Sequence, residues 1–185
     1  MKEHAKIVQS RTAIEEAGIE VLLRNPEASM SEIALVAGVG RATLYRHFES
    51  REILVQTLAR KCLEETDELV EPIKAQGLRG RRAIEASIDV LIPMANRFRF
   101  LMSLKAIAAN DPAINLIYKR QLGELSELVN QAQSDGEISS TLSNEWVVSM
   151  FDAILNSAWQ LIEQGKVAPG DAAIAFKQSF FSGCQ

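Results

Sequence analysis

Cysteine and histidine are both scarce in this chain of 185 residues, two of each. Cys62 and Cys184 lie far apart with no Cys-x-x-Cys spacing. That excludes a disulfide framework or a cysteine zinc site and fits a reducing, cytoplasmic setting. His4 and His47 are too few for a helical di-iron bundle, which takes a Glu-x-x-His from each of two helices, so no metal site is expected. Long apolar runs are missing as well. No segment approaches the roughly 18 apolar residues that span a membrane, and the opening MKEHAKIVQS has no apolar run behind its charges. A soluble, unexported protein without a membrane partner is expected. Gly-x-Ser-x-Gly, Walker and His-Glu-x-x-His motifs are absent. No nucleophile, metal cluster or general-base pair recommends an enzyme, and no cofactor is implied.

A general excess of positive charge is also lacking, since the formal net charge is −4. Its distribution is uneven. Residues 1–51 hold seven Lys/Arg against seven Asp/Glu, whereas residues 52–185 hold thirteen against seventeen. An anion-binding face, if present, therefore belongs to the first fifty residues.

What is present is a globular composition, 47% hydrophobic and 24% charged, with apolar residues at helical rather than alternating spacing. The pattern predicts an all-α chain of nine helices. The first runs from about Ala5 to Arg24 and stops where Pro26 forces Asn25 out of the helical region. Ser29 to Glu32 has the Ser-x-x-Glu form of a capping box and opens a short second helix that ends at Gly38, a residue suited to a left-handed cap. Gly40 is the N-cap of a third, Arg41 to His47, with Leu44 and Phe48 on its buried side. Two short helices about a three-residue turn form a helix-turn-helix. Ser50 caps a fourth helix, about 51–73, that Pro72 and AQGLRG break. Domains are expected at 1–52 and 53–185, with this fourth helix as the link. The fifth covers Ala83 to Ile92, the sixth Phe98 to Ala109. The seventh starts at Asp111 and Pro112 and runs to Ser134, the eighth covers Ser143 to Gln164, and the ninth Asp171 to Phe181.

Gly38 and Gly40 invite a second reading, a phosphate-cradling loop. A dinucleotide loop needs a preceding strand and a third glycine at position 43; here a capped helix precedes, and the residue is Thr43. The helix-turn-helix accounts for each residue instead. Arg41, Ala42, Thr43, Tyr45 and Arg46 face outward near the start of a helix, where side chains reach base edges in a major groove. His47 and Arg51 are placed to meet phosphate.

The stretch MSEIALVAGVGRATLYRHFESREILVQTL resembles the DNA-binding signature of the TetR (tetracycline-repressor-like) family, I-A-x-x-A-G-V-x-x-x-T-L-Y-x-H-F-x-x-[KR]-x-x-L. Ile33, Ala34, Ala37, Gly38, Val39, Thr43, Leu44, Tyr45, His47, Phe48, Arg51 and Leu54 all fit. The resemblance implies a homodimeric transcriptional regulator, usually a repressor, that binds a double-stranded DNA operator and leaves it when a small-molecule effector occupies the C-terminal domain. It also implies that Thr43, Tyr45, His47 and Arg51 hold the phosphate backbone, while Arg41, Ala42 and Arg46 occupy the sequence-reading positions. Two departures stand out: Gly40 where relatives often carry Ser or Thr, and Met30 where a Thr commonly meets the backbone, with Ser29 or Ser31 as substitutes.

By the same resemblance the last two helices form a four-helix dimer interface, and the pocket lies among helices five to eight. Interface candidates are Phe151, Ile154, Ala158, Phe176 and Phe180, from an apolar stripe broader than one neighbouring helix covers. Pocket candidates are Met94, Phe98, Met102, Tyr118, Asn156 and Trp159, since Met and aromatic side chains make an adaptable wall for a mostly apolar effector. The alternative function is a dimeric sensor or adaptor of the same fold that does not bind an operator.

Overall fold

A computed structural model describes residues 2–94 and 111–184, with side chains from Ile7 onward. Among them are eight α-helices, one 3-10 turn and no strand. In chain order they are α1 (Lys2–Arg24), α2 (Met30–Val36), α3 (Arg41–His47), α4 (Arg51–Ala75), α5 (Gly80–Leu91), the 3-10 turn Ile92–Met94, α6 (Pro112–Ser134), α7 (Asn144–Glu163) and α8 (Pro169–Gly183). The helix expected at Phe98 to Ala109 lies outside the described residues; the other eight expected helices are present.

Their ends follow local chemistry. Ser29 and Glu32 close the capping box: the Ser29 N–H donates to Glu32 Oε2 at 2.7 Å, and the Glu32 N–H donates to Ser29 Oγ at 3.3 Å. Asp111 Oδ1 accepts from the Ala113 and Ile114 N–H groups at 2.8 and 3.3 Å, with Pro112 in the first helical position. Ser143 caps α7 by accepting from the Trp146 N–H at 3.2 Å. Pro72 is a difference from expectation, because α4 continues through it to Ala75. Its missing N–H forfeits only the bond to the carbonyl of the exposed residue Glu68, near the end of the helix, where solvent is a ready substitute. α5 begins earlier than its apolar pattern indicates, at Gly80. Side chains distant in sequence satisfy its first N–H groups: Gln131 Oε1 accepts from Gly80 at 3.1 Å and Glu137 Oε2 from Arg81 at 3.2 Å.

The described residues group into two units that divide within α4, after Cys62, with residues 111–114 grouped with the first. In the first, Ile14, Leu22, Ile33, Leu44, Phe48 and Leu54 are buried together between α1, α2, α3 and the start of α4. α1 and α4 approach closely at Gly18, where a Cβ would stand 2.8 Å from Leu58 Cδ1. Glu15, only 8% exposed, is held there as a paired charge by Arg11 Nε at 3.0 Å and Lys61 Nζ at 2.7 Å. The Arg11 guanidinium also lies over the Phe48 ring, 4.9 Å from its centroid, so the residue that ends α3 is gripped from outside as well as within.

The second unit packs α5, α7 and α8 about Ile84, Ile88, Phe151, Phe176 and Phe180. The Phe151 and Phe176 ring centroids are 5.0 Å apart, and Phe180 meets Phe151 edge-on at 5.6 Å. Its last residues are tied back, since the Ser139 N–H donates to the Cys184 carbonyl at 2.7 Å.

Candidate nucleic-acid interface and ligand cavity

The turn between α2 and α3 depends on Gly38, whose φ is +65°. Its N–H donates to the Leu35 carbonyl at 3.2 Å and the Val39 N–H reaches the Ala34 carbonyl at 3.0 Å, the paired bonds of a Schellman ending. A Cβ at Gly38 would meet nothing within 4 Å, so the requirement is conformational, not steric. Gly40 then starts α3 in an extended conformation with no side-chain cap. Its carbonyl accepts from Thr43 and Leu44 at 2.9 and 3.1 Å.

With Leu44 and Phe48 at 0% and 1% exposure, α3 can present only one face outward. That face carries Arg41, Ala42, Tyr45 and Arg46, all exposed, with Thr43 and His47 half-buried at its edge. An open cleft of about 640 Å³ runs beside it, lined by Ile7 and Ser10 of α1, the turn Gly38 to Gly40, and Thr43, Arg46 and His47. The Arg46 guanidinium lies along its own helix, donating to the Thr43 hydroxyl at 2.9 Å and the Ala42 carbonyl at 3.3 Å. These bonds are exposed and local, so water or a base edge competes for them at small cost.

Arg51 is placed differently from its neighbours in the motif. Its Nε donates to the Ala28 carbonyl at 3.1 Å and an Nη2 hydrogen to the Pro26 carbonyl, both in the turn between α1 and α2. Periodicity carries no signal for such a pair, which spans more than twenty residues. Met30 is buried, 6% exposed, which accounts for an apolar residue at that point, and Ser29 is occupied by the capping box.

In the second unit a cavity of about 150 Å³ opens between α4, α5, α6 and α7. Val70, Ile73, Leu91, Leu125, Leu128 and Leu155 give it an apolar wall, and Asp67, Lys74, Tyr118, Gln121, Glu124 and Asp152 a polar one. Arg120 bridges Asp67 and Glu124, Lys74 reaches Glu124 at 2.8 Å, and Gln121 donates to Asp67 Oδ1 at 2.9 Å, joining α4 to α6 along that wall. Burial, aided by the nearby Asp152 charge, holds the Tyr118 hydroxyl above its ordinary pKa, so it stays a neutral donor at physiological pH.

Of the residues expected to line a pocket, Tyr118 does so. Asn156 instead donates to the Asp152 carbonyl at 2.8 Å, Trp159 is buried in the core, and Met94 is half-buried away from the cavity lining. Phe98 and Met102 lie outside the described residues. Phe151, expected at a dimer interface, lines the cavity and the core. Phe176, Phe180 and Ala158 are likewise buried within the chain's own core and offer little surface to a partner; Ile154 is half-buried. The broad stripe is wide because it meets several helices of its own chain. The exposed large apolar residues of the same helices are Trp146, Leu161 and Ile174. Among the described residues, no helix is long and apolar enough to cross a membrane.

Residues 15–58 match the family model of the bacterial regulatory proteins, tetR family. Over 164 residues the chain is 26% identical to the HTH-type transcriptional repressor LfrR of Mycolicibacterium smegmatis, covering 85% of this chain and 81% of that one. The crystal structure of LfrR in complex with proflavine shares the fold, with a TM-score of 0.78, 23% identity and coverage of 95% and 96% of the two chains. So does the structure of AibR in complex with isovaleryl coenzyme A and operator DNA, at a TM-score of 0.78, 18% identity and coverage of 93% and 98%. With its signature residues folded into a helix-turn-helix, the chain carries a DNA-binding domain of the tetR-family type at residues 15–58 and is similar along most of its length to TetR-like regulators.

Proposed function

We propose that the protein is a homodimeric repressor whose α3 helices enter successive major grooves of a near-palindromic operator, and that a small molecule held in the second unit releases it. The observation that carries this reading is the outward face of α3. Buried Leu44 and Phe48 leave Arg41, Ala42, Tyr45 and Arg46 exposed along one short helix beside an open cleft. Arg41 and Arg46 have the bidentate fork that reads guanine, and the Ala42 methyl suits a thymine methyl. Thr43, Tyr45 and His47 flank them as phosphate contacts.

The apolar wall of the cavity supports an effector that is mostly apolar, with Tyr118, Gln121 and Asp152 as polar anchors. LfrR, whose structure holds proflavine, is a precedent for a flat aromatic effector in this fold. Effector binding releases DNA to the extent that it favours one arrangement of the dimer over the other. For the dimer face we propose Trp146, Met150, Ala153, Ser157 and Leu161 of α7, which recur at three- and four-residue spacing, together with Ile174 of α8.

The deciding experiment is selection of bound duplexes from a random-sequence pool at low salt, followed by gel shift on the winners. A palindromic consensus is expected, with affinity falling as salt rises at a slope of about −0.9 per neutralised phosphate. Failure to enrich any sequence sinks the reading. Loss of binding in a folded Tyr45→Ala, Arg46→Ala variant places the interface on α3.

A further inference from the structure

We propose that Arg51 governs operator affinity as a positioning residue: its guanidinium clasps the turn between α1 and α2 to the start of α4 and so sets where α2 and α3 stand. The proposal rests on the DNA-binding reading above and concerns how that interface is held.

The geometry begins with the turn. The Ala28 N–H donates to the Asn25 carbonyl at 3.0 Å and the Glu27 N–H to Asn25 Oδ1 at 3.1 Å, which folds the chain tightly after Pro26. Ala28 is fully buried, and a buried carbonyl needs a donor. Arg51 Nε is that donor, at 3.1 Å, while an Nη2 hydrogen of the same guanidinium reaches the Pro26 carbonyl. Ser50 Oγ accepts from the Ile53 N–H at 3.2 Å, which caps α4 and holds Arg51 at its first position.

The next residue after Ala28 is Ser29, the cap of α2. Displacing the turn therefore displaces α2, and the Schellman bonds from Gly38 and Val39 carry the shift into α3. A planar guanidinium holds two carbonyls at fixed separation; an ammonium is a point charge and does not. The signature admits Lys or Arg at this point, and in this chain the fork has a use that Lys cannot supply. Three of the five N–H hydrogens remain beyond the two bonds described, so the clasp does not forbid a phosphate contact, and the experiment has to separate the two roles.

The test compares Arg51→Lys and Arg51→Ala with the parent protein, using the duplex selected above and amide hydrogen exchange on the DNA-free protein. The clasp predicts faster exchange from Ala28 through Ile33 in both variants. It also predicts that Lys fails to rescue operator affinity, leaving a loss of about tenfold, the equivalent of one charge-assisted hydrogen bond. The salt slope of the Lys variant stays that of the parent. Near-parental affinity for Arg51→Lys with a slope reduced by about 0.9 in Arg51→Ala would mean a phosphate contact alone, and the proposal falls. It falls equally if exchange at Ala28 to Ile33 is unchanged, or if exchange quickens while affinity holds, which would make the clasp merely structural. Should Arg51→Ala fail to fold, the Lys variant decides by itself. Failure of the DNA-binding reading looks different, since the parent then enriches no duplex while the exchange measurement still reports on the clasp.

Discussion

Trp159 of α7 donates its indole N–H to the Leu91 carbonyl at 3.1 Å, inside the core of the second unit. Leu91 is the last residue of α5, where the chain passes into the 3-10 turn Ile92–Met94, and Pro93 has no N–H to offer. The indole supplies a side-chain donor that ties α7 to this junction. Trp159→Phe keeps much of the ring volume but removes this hydrogen bond between α7 and the end of α5, so a loss of about 0.5–1.5 kcal/mol in urea unfolding is expected. An unchanged midpoint would show that the bond is dispensable. Emission gives a second readout, because Trp146 is 62% exposed whereas Trp159 is 4% exposed. Deleting Trp159 should leave a red-shifted spectrum.

Gly38 lends itself to a test of conformation without a test of space. With φ at +65° and nothing within 4 Å of the point where a Cβ would stand, Gly38→Ala meets only the left-handed penalty, about 1–2 kcal/mol. Gly38→Asn should cost less, since Asn tolerates that region. Equal losses for the two, measured by thermal or urea unfolding, would contradict this account of the turn.

Asp67 ties part of the stability to pH. Burial acts to raise its carboxyl, but hydrogen bonds from Arg120 and Gln121, with the charges of Arg120 and Lys74, outweigh it and leave the pKa lowered. A lowered folded-state value means the contribution is complete above the ordinary 3.8 and is lost as pH falls through the folded value. Asp67→Asn should therefore be less stable than the parent at pH 7, by about 1 kcal/mol or less for so exposed a pair. The difference should shrink on acidification below pH 3.8. A gap that stays constant from neutral to acid pH in urea titrations would rule out the pair as its source.

The two faces of the last helices make opposite predictions. Phe176 is 2% exposed and the rings of Phe151 and Phe180 pack on it, so Phe176→Ala should lose about 3–5 kcal/mol of folding stability. On the dimer face proposed above, Trp146→Glu with Ile174→Glu should halve the mass seen by light scattering while helicity persists. A doubly substituted protein that remains dimeric would move the partner contact elsewhere.

Filling the cavity separates sensing from DNA binding. Leu128→Trp exchanges an aliphatic side chain for a bulkier indole in the lining of a space of about 150 Å³. It should abolish the thermal shift produced by compounds that raise the melting temperature of the parent, while binding to the selected duplex persists. A retained shift would place the effector outside this cavity.

The features readable from the order of residues alone are local ones. The Ser29–Glu32 box, Asp111 with Pro112, Gly38 in its left-handed cap and the buried pair Leu44 and Phe48 were all legible because each depends on neighbours within a turn or two of helix. The outward order of Arg41, Ala42, Tyr45 and Arg46 followed from the same period. Which distant groups meet became visible with the packing of the helices. Arg51 faces the Pro26 and Ala28 carbonyls, Glu137 caps α5, and the phenylalanines of α7 and α8 turn into the core of their own chain. Val70, Ile73 and Leu128 border a space left where helices do not quite close. A helical period says which side of a helix is apolar, but not how many helices that side touches. That number is set by how whole helices pack, through contacts between residues far apart along the chain.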